Sequence, residues 1–427
     1  MDRDGVAVVP EAAADIAVGK RPSGLHALRN PGFRWYFLGQ IASASGTFVQ
    51  QTAIAWLVLQ LTGSAAALGV VLAVGGLPSL ILGPWGGVVA DRFDLRRLLL
   101  VTQTIQGGLA GVLTVMGATG YVSVVAVVAL NVVGGVVQIV DSPARQAFVP
   151  QLVPPDDLAS AASVNGVVMN SARVVGPAVA GVLIATVGTT ACFAVNTVSY
   201  LAVIAALAMI RPLSTATRAG SSDGLGEGLR YVRAHQQLWL PLAMMALVGL
   251  VSFNFPVILP VFAQSTFHGT GTTYSLLSVM LSVGSVVGSL AVGQIPHPRR
   301  IYLVGASLAF GVALAATAAA PNLVFACILL AVSGATGFCF VTLASVALQL
   351  HAEPQYRGRV MALWVFVFIG TTPIGSIVMG WVTGSGGPRV ALLIAAGAAV
   401  VAAGAAAFVR TPPHPDEYLR QPPVADR

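Results

Sequence analysis

Apolar runs recur along this chain from Trp35 to Phe408 with polar breaks between them. Most reach the roughly twenty residues that cross about 30 Å of hydrocarbon at about 1.5 Å per residue, so each is read as a membrane-spanning helix. The spans fall at 34–60, 65–90, 97–118, 121–141, 162–186, 189–210, 238–264, 272–293, 300–319, 322–347, 359–382 and 387–409. An even count puts both ends of the chain on one face of the membrane.

The basic residues choose that face. Arg3, Lys20, Arg21, Arg29 and Arg34 precede or open span 1; Arg92, Arg96 and Arg97 follow span 2; Arg145 follows span 4. Arg211, Arg218, Arg230 and Arg233 follow span 6, Arg299 and Arg300 follow span 8, Arg357 and Arg359 follow span 10, and Arg410, Arg420 and Arg427 close the chain. Of the 22 basic residues, only Arg389 falls on the other face and Arg173 within the membrane. Positive loops stay in the cytoplasm during insertion, which places both termini there.

The longest interior break, 211–237, begins RPLSTATRAGSSDG and ends in the amphipathic GEGLRYVRAHQQLW. It divides the chain into a tail (1–33), a first six-helix bundle (34–210), a cytoplasmic linker with a surface helix (211–237), a second bundle (238–409) and a loose tail (410–427). An internal repeat supports two halves. GVVADRFDLRR at Gly87–Arg97 is answered by GQIPHPRR ending in Arg299 and Arg300, with Gln294 in place of Asp91. QLVPPDDLASA is answered by QLHAEPQYRGRVMA, and Gly176-Pro177 by Pro373–Gly375.

Composition closes off other classes. At 56% hydrophobic and 9% charged residues, with a mean hydropathy of +0.84, the chain departs from a soluble domain carrying about 25% charged residues. A net charge of +7 and a pI near 9.8 would suit nucleic acid, but the charges form no stripe with interleaved aromatics. Cys192, Cys327 and Cys339 all fall in spans without CxxC spacing, so no disulfide framework and no metal site is expected. No apolar h-region precedes an A-x-A site in the first thirty residues, so no cleaved signal is expected.

Polar residues inside the spans mark candidate chemistry. Gln40, Ser43, Thr47 and Gln50 or Gln51 recur every three to four residues in span 1, as do Asn131, Gly134, Gln138 and Asp141 in span 4. Asn170 and Arg173 add to them in span 5, and Asn254 and Trp364 in the second half. Polar groups facing lipid would go unpaired, so these faces must line protein or water, and together they favour a solvated pathway. Arg173 is the sharpest of them. It lies about 16 Å along its span, where a charge costs roughly 2.5–3.5 kcal/mol and needs compensation inside the bundle.

The loop Gly87-x-x-x-Asp91-Arg92-x-x-x-Arg96-Arg97, the stretch WLVLQLTGSAAALG, the segment DSPARQAFVPQLVPPDDLASAASVNG and Asn170-x-x-Arg173-x-x-Gly176-Pro177 resemble the major facilitator superfamily. The closest likeness is to drug and metabolite exporters of the enterobactin-exporter type. The resemblance implies an all-α integral membrane fold of twelve transmembrane helices in two pseudo-symmetric six-helix bundles. It also implies a monomer in the inner membrane, without cofactor, that exports a small amphiphilic molecule by alternating access as a proton antiporter.

Gly87, Asp91, Arg92, Arg96 and Arg97 then form a cytoplasmic latch. Asp91 would meet the start of the eleventh span, and Arg92 or Arg96 would reach Asp141 at the end of the fourth. Gly176, Pro177 and Gly181 resemble the antiporter motif, where small residues admit close helix approach and the proline bends the helix.

The chain departs from its relatives at Gly46-Thr47, where many carry an acidic residue. With Asp141 placed at an interface, none of the fifteen Asp and Glu residues lies at mid-membrane. His268 falls outside and His297 and His351 inside, so the proton-coupling group stays unassigned. Lys20 in VGKRPSG lacks phosphate-loop geometry, and no HExxH or GxSxG is present, so neither an ATPase nor another enzyme is expected. A lysophospholipid or other lipid translocase of the same fold and a non-transporting membrane sensor remain the alternatives.

Overall fold

A computed structural model describes residues 26–210, 225–295 and 299–409, and among these there are helices and no strands. The loose tails of the sequence reading, most of its linker and His297 lie outside the described residues. The first half comprises α1 (Pro31–Thr62), α2 (Ala65–Arg92), α3 (Leu95–Thr119), α4 (Val124–Phe148), α5 (Leu158–Thr186) and α6 (Thr189–Met209). A short α7 (Leu225–Ala234) leads into α8 (Gln236–Val251), α9 (Phe255–Val261), α10 (Gly271–Val292), α11 (Arg300–Ala318), α12 (Leu323–His351) and α13 (Arg357–Phe408).

Turn chemistry sets the hairpins. Gly63 and Gly120 end α1 and α3 in the left-handed conformation, at φ 62° and 77°, where a side chain would be strained. Ser64, Asp94, Ser123 and Asn322 then accept from the backbone N–H of Ala67, Arg97, Ala126 and Phe325, capping α2, α3, α4 and α12.

Three boundaries differ from the expected spans. α4 continues to Phe148 rather than ending at 141, because Asp141 and Arg145 pair one turn apart and so make the polar end helical. The seventh span is broken at Ser252–Asn254, between α8 and α9. Pro256 cannot donate to the carbonyl of Ser252, and the Asn254 amide donates instead to Leu250 O at 2.7 Å. The segment ends in a π-turn, Phe262–Thr266. The last two spans are one element, α13, folded at Gly387 (φ 83°) ahead of Pro388 without a loop.

Among the described residues ten stretches are long and apolar enough to cross a bilayer. Counting the two arms of α13 separately, and adding the 32-residue α1 with its polar stripe, gives twelve spans. They form two six-helix bundles with one pairing scheme. In the first half α2 packs on α4, α3 on α6, and α1 on α5; in the second, α10 packs on α12, α11 on the second arm of α13, and α8 on its first. Between the halves, α2 lies along α13 and α5 along α10. Successive antiparallel spans bring Arg34, Arg92, Arg96, Arg145, Arg300 and Arg357 to one end of the bundle, the basic face. Arg389 is at the opposite, far face.

Close backbone approach, not a hydrophobic force, associates helices in lipid. A Cβ on Gly284 or Gly288 of α10 would collide with the carbonyl oxygens of Ala331 or Ala335 on α12, and one on Gly334 with that of Leu281. The substitution G284V should therefore force α10 from α12 and cost about 1–3 kcal/mol or more. A lowered melting temperature of the purified protein in detergent would report it; an unchanged one would mean that the helices do not touch there.

Candidate transport pathway

The halves seal against each other toward the far face. A Cβ on Gly69 of α2 would strike the Ser376 carbonyl, one on Gly380 would lie 3.0 Å or less from Gly69 Cα, and one on Gly76 would lie 2.9 Å from Pro373 Cγ. On the other flank Thr272 Oγ1 donates to the Gly181 carbonyl at 3.5 Å, and Trp56 stacks on Tyr274 at 6.4 Å. At the basic face a Cβ on Gly87, Gly166 or Gly358 would meet no atom within 4 Å. The described contacts between the halves thus gather at mid-depth and toward the far face, which leaves the basic side as the candidate mouth of a gap between them.

Two polar groups reach into its middle. Arg173 is midway along α5, half-buried, with its guanidinium carbon 4.7 Å from the centroid of the Phe338 ring on α12. Among the described residues it has no ion pair. Asn170 stands one turn before it, and Pro177 one turn after leaves the Arg173 carbonyl without its helical donor. On the opposite bank Phe338 meets Phe253 edge-on at 5.7 Å, Phe253 meets Phe368 at 5.9 Å, and Phe368 stacks on Trp364 at 6.3 Å. A separate groove of about 470 Å³, lined by Val232, Arg233, Trp239 and Leu363, lies beneath α7, which Tyr231 pins by stacking on Tyr356 at 4.0 Å.

Asp141 is buried among helices of the first half. It is 1% exposed, well inside α4. Its Oδ1 accepts from Thr102 Oγ1 at 2.6 Å and Gln103 Nε2 at 2.7 Å, and its Oδ2 from Arg145 Nη2 at 2.5 Å. Arg145 also donates to Gln40 Oε1. Arg145 thus lies inside the helix rather than after it, and it takes the place expected of Arg92 or Arg96. Arg96 instead donates to the carbonyls of Leu207 and Ala208 at 2.7 and 2.6 Å, closing the C-terminus of α6, where a cation opposes the helix dipole. Asp91, Arg92 and Arg97 are exposed, and among the described residues Asp91 and Arg92 have no partner.

The span 1 stripe divides between seams of the first half. Gln40 joins the Asp141 cluster, Thr47 Oγ1 bonds to Ser43 O at 2.8 Å and lies 3.5 Å from Tyr200 Oη, and Gln50 accepts from Asn196 at 2.8 Å. Ser43 is buried, Gln51 and Gln138 are exposed, and Asn131 packs beside Gly75. These faces are satisfied largely by neighbouring helices, so the stripe did not identify the gap. Gly176 fits against Phe48 within the half, whereas Gly181 touches Ser275 of the other half. Asn254, 1% exposed, holds the α8–α9 break and accepts from Ser376 at 3.2 Å. Trp364 is buried at the foot of the aromatic bank.

Sequence reasoning passed over Arg145, although its four-residue spacing from Asp141 was a legible signal. Phe338, Trp56 and Tyr274 gave none, because only the docking of the halves makes them neighbours.

The sequence profile of the family described as transmembrane secretion effector matches residues 22–422. The chain is 24% identical over 356 residues to the Staphyloferrin A transporter of Staphylococcus aureus, covering 81% of this chain and 88% of that one. It is 28% identical over 381 residues to the multidrug efflux pump Tap of Mycobacterium tuberculosis, covering 84% and 88%. Its fold superposes with a TM-score of 0.73, at 14% identity, on the crystal structure of a bacterial homologue of the human lysosomal transporter Spinster in an inward-facing conformation, covering 88% and 96%.

The buried ion pair yields a prediction of its own. R145A leaves the buried Asp141 carboxylate with the Thr102 and Gln103 hydrogen bonds but no counter-charge and should cost about 3–5 kcal/mol, while D141A/R145A, which removes both charges, should cost clearly less. Unfolding in detergent measures both; a double variant as unstable as the sum of the singles would show that the two charges do not depend on each other.

Proposed function

The chain belongs to the transmembrane secretion effector family of major facilitator transporters, and on that premise we propose that it exports a small amphiphilic organic molecule by alternating access, in exchange for protons. The carrying observation is the uneven docking of the halves, sealed at the far face and parted at the basic face around Arg173. Family membership makes it a membrane transporter and not an enzyme. The name of the multidrug pump supports efflux as the direction, and that of the staphyloferrin transporter supports an organic cargo.

With the basic face in the cytoplasm, as loops rich in arginine require, this is the state that loads cargo from inside, and both termini are cytoplasmic in an inner-membrane monomer. Rocking of the halves about the central site would close that face and open the other. Asp91 and Arg92 would then meet the start of α13 as a latch for the outward state, which accounts for their lack of partners here.

Asp141 is the buried carboxylate among the described residues and the best candidate for the coupling proton. Arg145 on its own helix, Tyr36 of α1 and Tyr200 of α6 are the charged or titratable side chains around it. Protonation would dissolve the Arg145 pair, and Gln103 Oε1, buried without a partner, would accept the new O–H once its amide turns over.

Two experiments test the reading. In inside-out vesicles, uptake of a fluorescent amphiphile should follow an imposed proton gradient and stop with a protonophore. D141N should lose uphill transport while keeping passive exchange. Uptake indifferent to the gradient would remove proton coupling, and no uptake at all would remove efflux. Separately, a Cβ on Gly384 would lie 3.9 Å from Ala65 Cβ, within disulfide range. Oxidised A65C/G384C, in a background free of the native cysteines, should halt transport and recover on reduction; full activity of the cross-linked protein would mean that the far face need not open.

A further inference from the structure

Three positions on α5 share one face at helical spacing: Gly166, Asn170 and Arg173. A Cβ on the first would meet open space. The second and third are half-buried polar side chains, and among the described residues neither has a hydrogen-bond partner. In the same half Gln40, Thr47, Gln50, Thr102, Gln103 and Asp141 each find a protein partner. A guanidinium carries five donors in a planar fork suited to a carboxylate, sulfonate or phosphate. At Arg173 that fork is answered only by the π face of Phe338, an attraction weaker than that of an anion. α5 and α12 share no extensive helix contact, and the long arginine side chain reaches from one to the other.

We infer that the central cavity takes organic anions with a flat apolar body, and that Arg173 rests on Phe338 of the other half only until an anionic group draws it off. The inference rests on the proposal above that this gap is the transport path. Arg173 and Asn170 hold the charged end of the cargo. Phe338, Phe253 and Phe368, each half-buried and in edge or face contact in series, offer rings to its body. Because Arg173 belongs to one half and Phe338 to the other, binding an anion also exchanges a contact between the halves for one with the cargo. Occupancy is thereby tied to their freedom to rock.

The test uses two probes of one skeleton, 1-anilinonaphthalene-8-sulfonate and the uncharged N-phenyl-1-naphthylamine. Both are titrated by fluorescence against the full chain in zwitterionic nanodiscs, with empty nanodiscs subtracted. R173A and R173Q should each weaken sulfonate binding by about tenfold or more and shift binding of the neutral probe by less than about twofold. F338A removes a ring from the body of either probe but frees the arginine, so it should raise sulfonate affinity relative to that of the neutral probe by about threefold. Sulfonate affinity unchanged in both arginine variants, or an equal fall for both probes, would overturn the inference, as would a fall in sulfonate affinity relative to the neutral probe in F338A. The readout is equilibrium binding and needs no gradient, so absent efflux with this pattern intact would count against the transport reading and not against the anion site.

Discussion

Hydrocarbon offers no hydrogen bonds, and this single fact governs the molecule from its turns to its pathway. Every polar group carried into the bilayer must meet a partner within the protein or face water. Helices satisfy their own backbones. Side chains must do the rest, and most of those in the first half do so locally, with Thr47, Thr52 and Thr114 returning to carbonyls one turn back. Where the backbone itself is freed, a neighbour steps in. Pro143 cannot donate to the Ile139 carbonyl, and Gly86 of α2 brings its backbone against that oxygen, an approach only glycine permits. The Ser252–Asn254 break is handled likewise, with Ser252 Oγ donating to Ala395 O at 2.7 Å and the Asn254 amide turning back on its own helix.

The same rule explains how far the sequence could be read. Span length depends on the bilayer alone, so the twelve segments were legible in number, while the end of the fourth, the break in the seventh and the fold joining the last two were not. What the rule leaves open is which partner a buried polar group finds. The Gln40–Gln50 stripe was rightly read as excluded from lipid, but its complement is α6 and the Asp141 cluster rather than the gap, and nothing along α1 encodes that. The partner of Asp141 was missed for a related reason. A carboxylate beside Ser142 and Pro143 reads as the end of a helix until Thr102, Gln103 and Arg145 are seen to neutralise it.

The two bundles share a pairing scheme while dividing the chemistry between them. The first carries the ion pair, the amides and Arg173. The second presents rings, from Phe338 through Phe253 to Trp364. Gln294 in the position of Asp91 belongs to the same divergence. A duplicated scaffold keeps its helix contacts because they fix the fold, whereas the residues facing the gap are released from that constraint. A cavity with a charged bank and an aromatic bank suits an amphiphile better than either half repeated twice would.

Arg173 is where the governing constraint is met least well, and that is an argument about mechanism. A cation at this depth is affordable with a strong partner or a wet surrounding, and the gap supplies water only while the basic face stands open. If the halves rock as proposed, closing over it would expel that water, and a ring face alone would compensate poorly. Closing the empty protein therefore carries a penalty that a bound anion would relieve. On the proposed mechanism, a charge left short of partners between two rocking bodies would thus favour loaded over empty transitions, without any contact that must be broken by force.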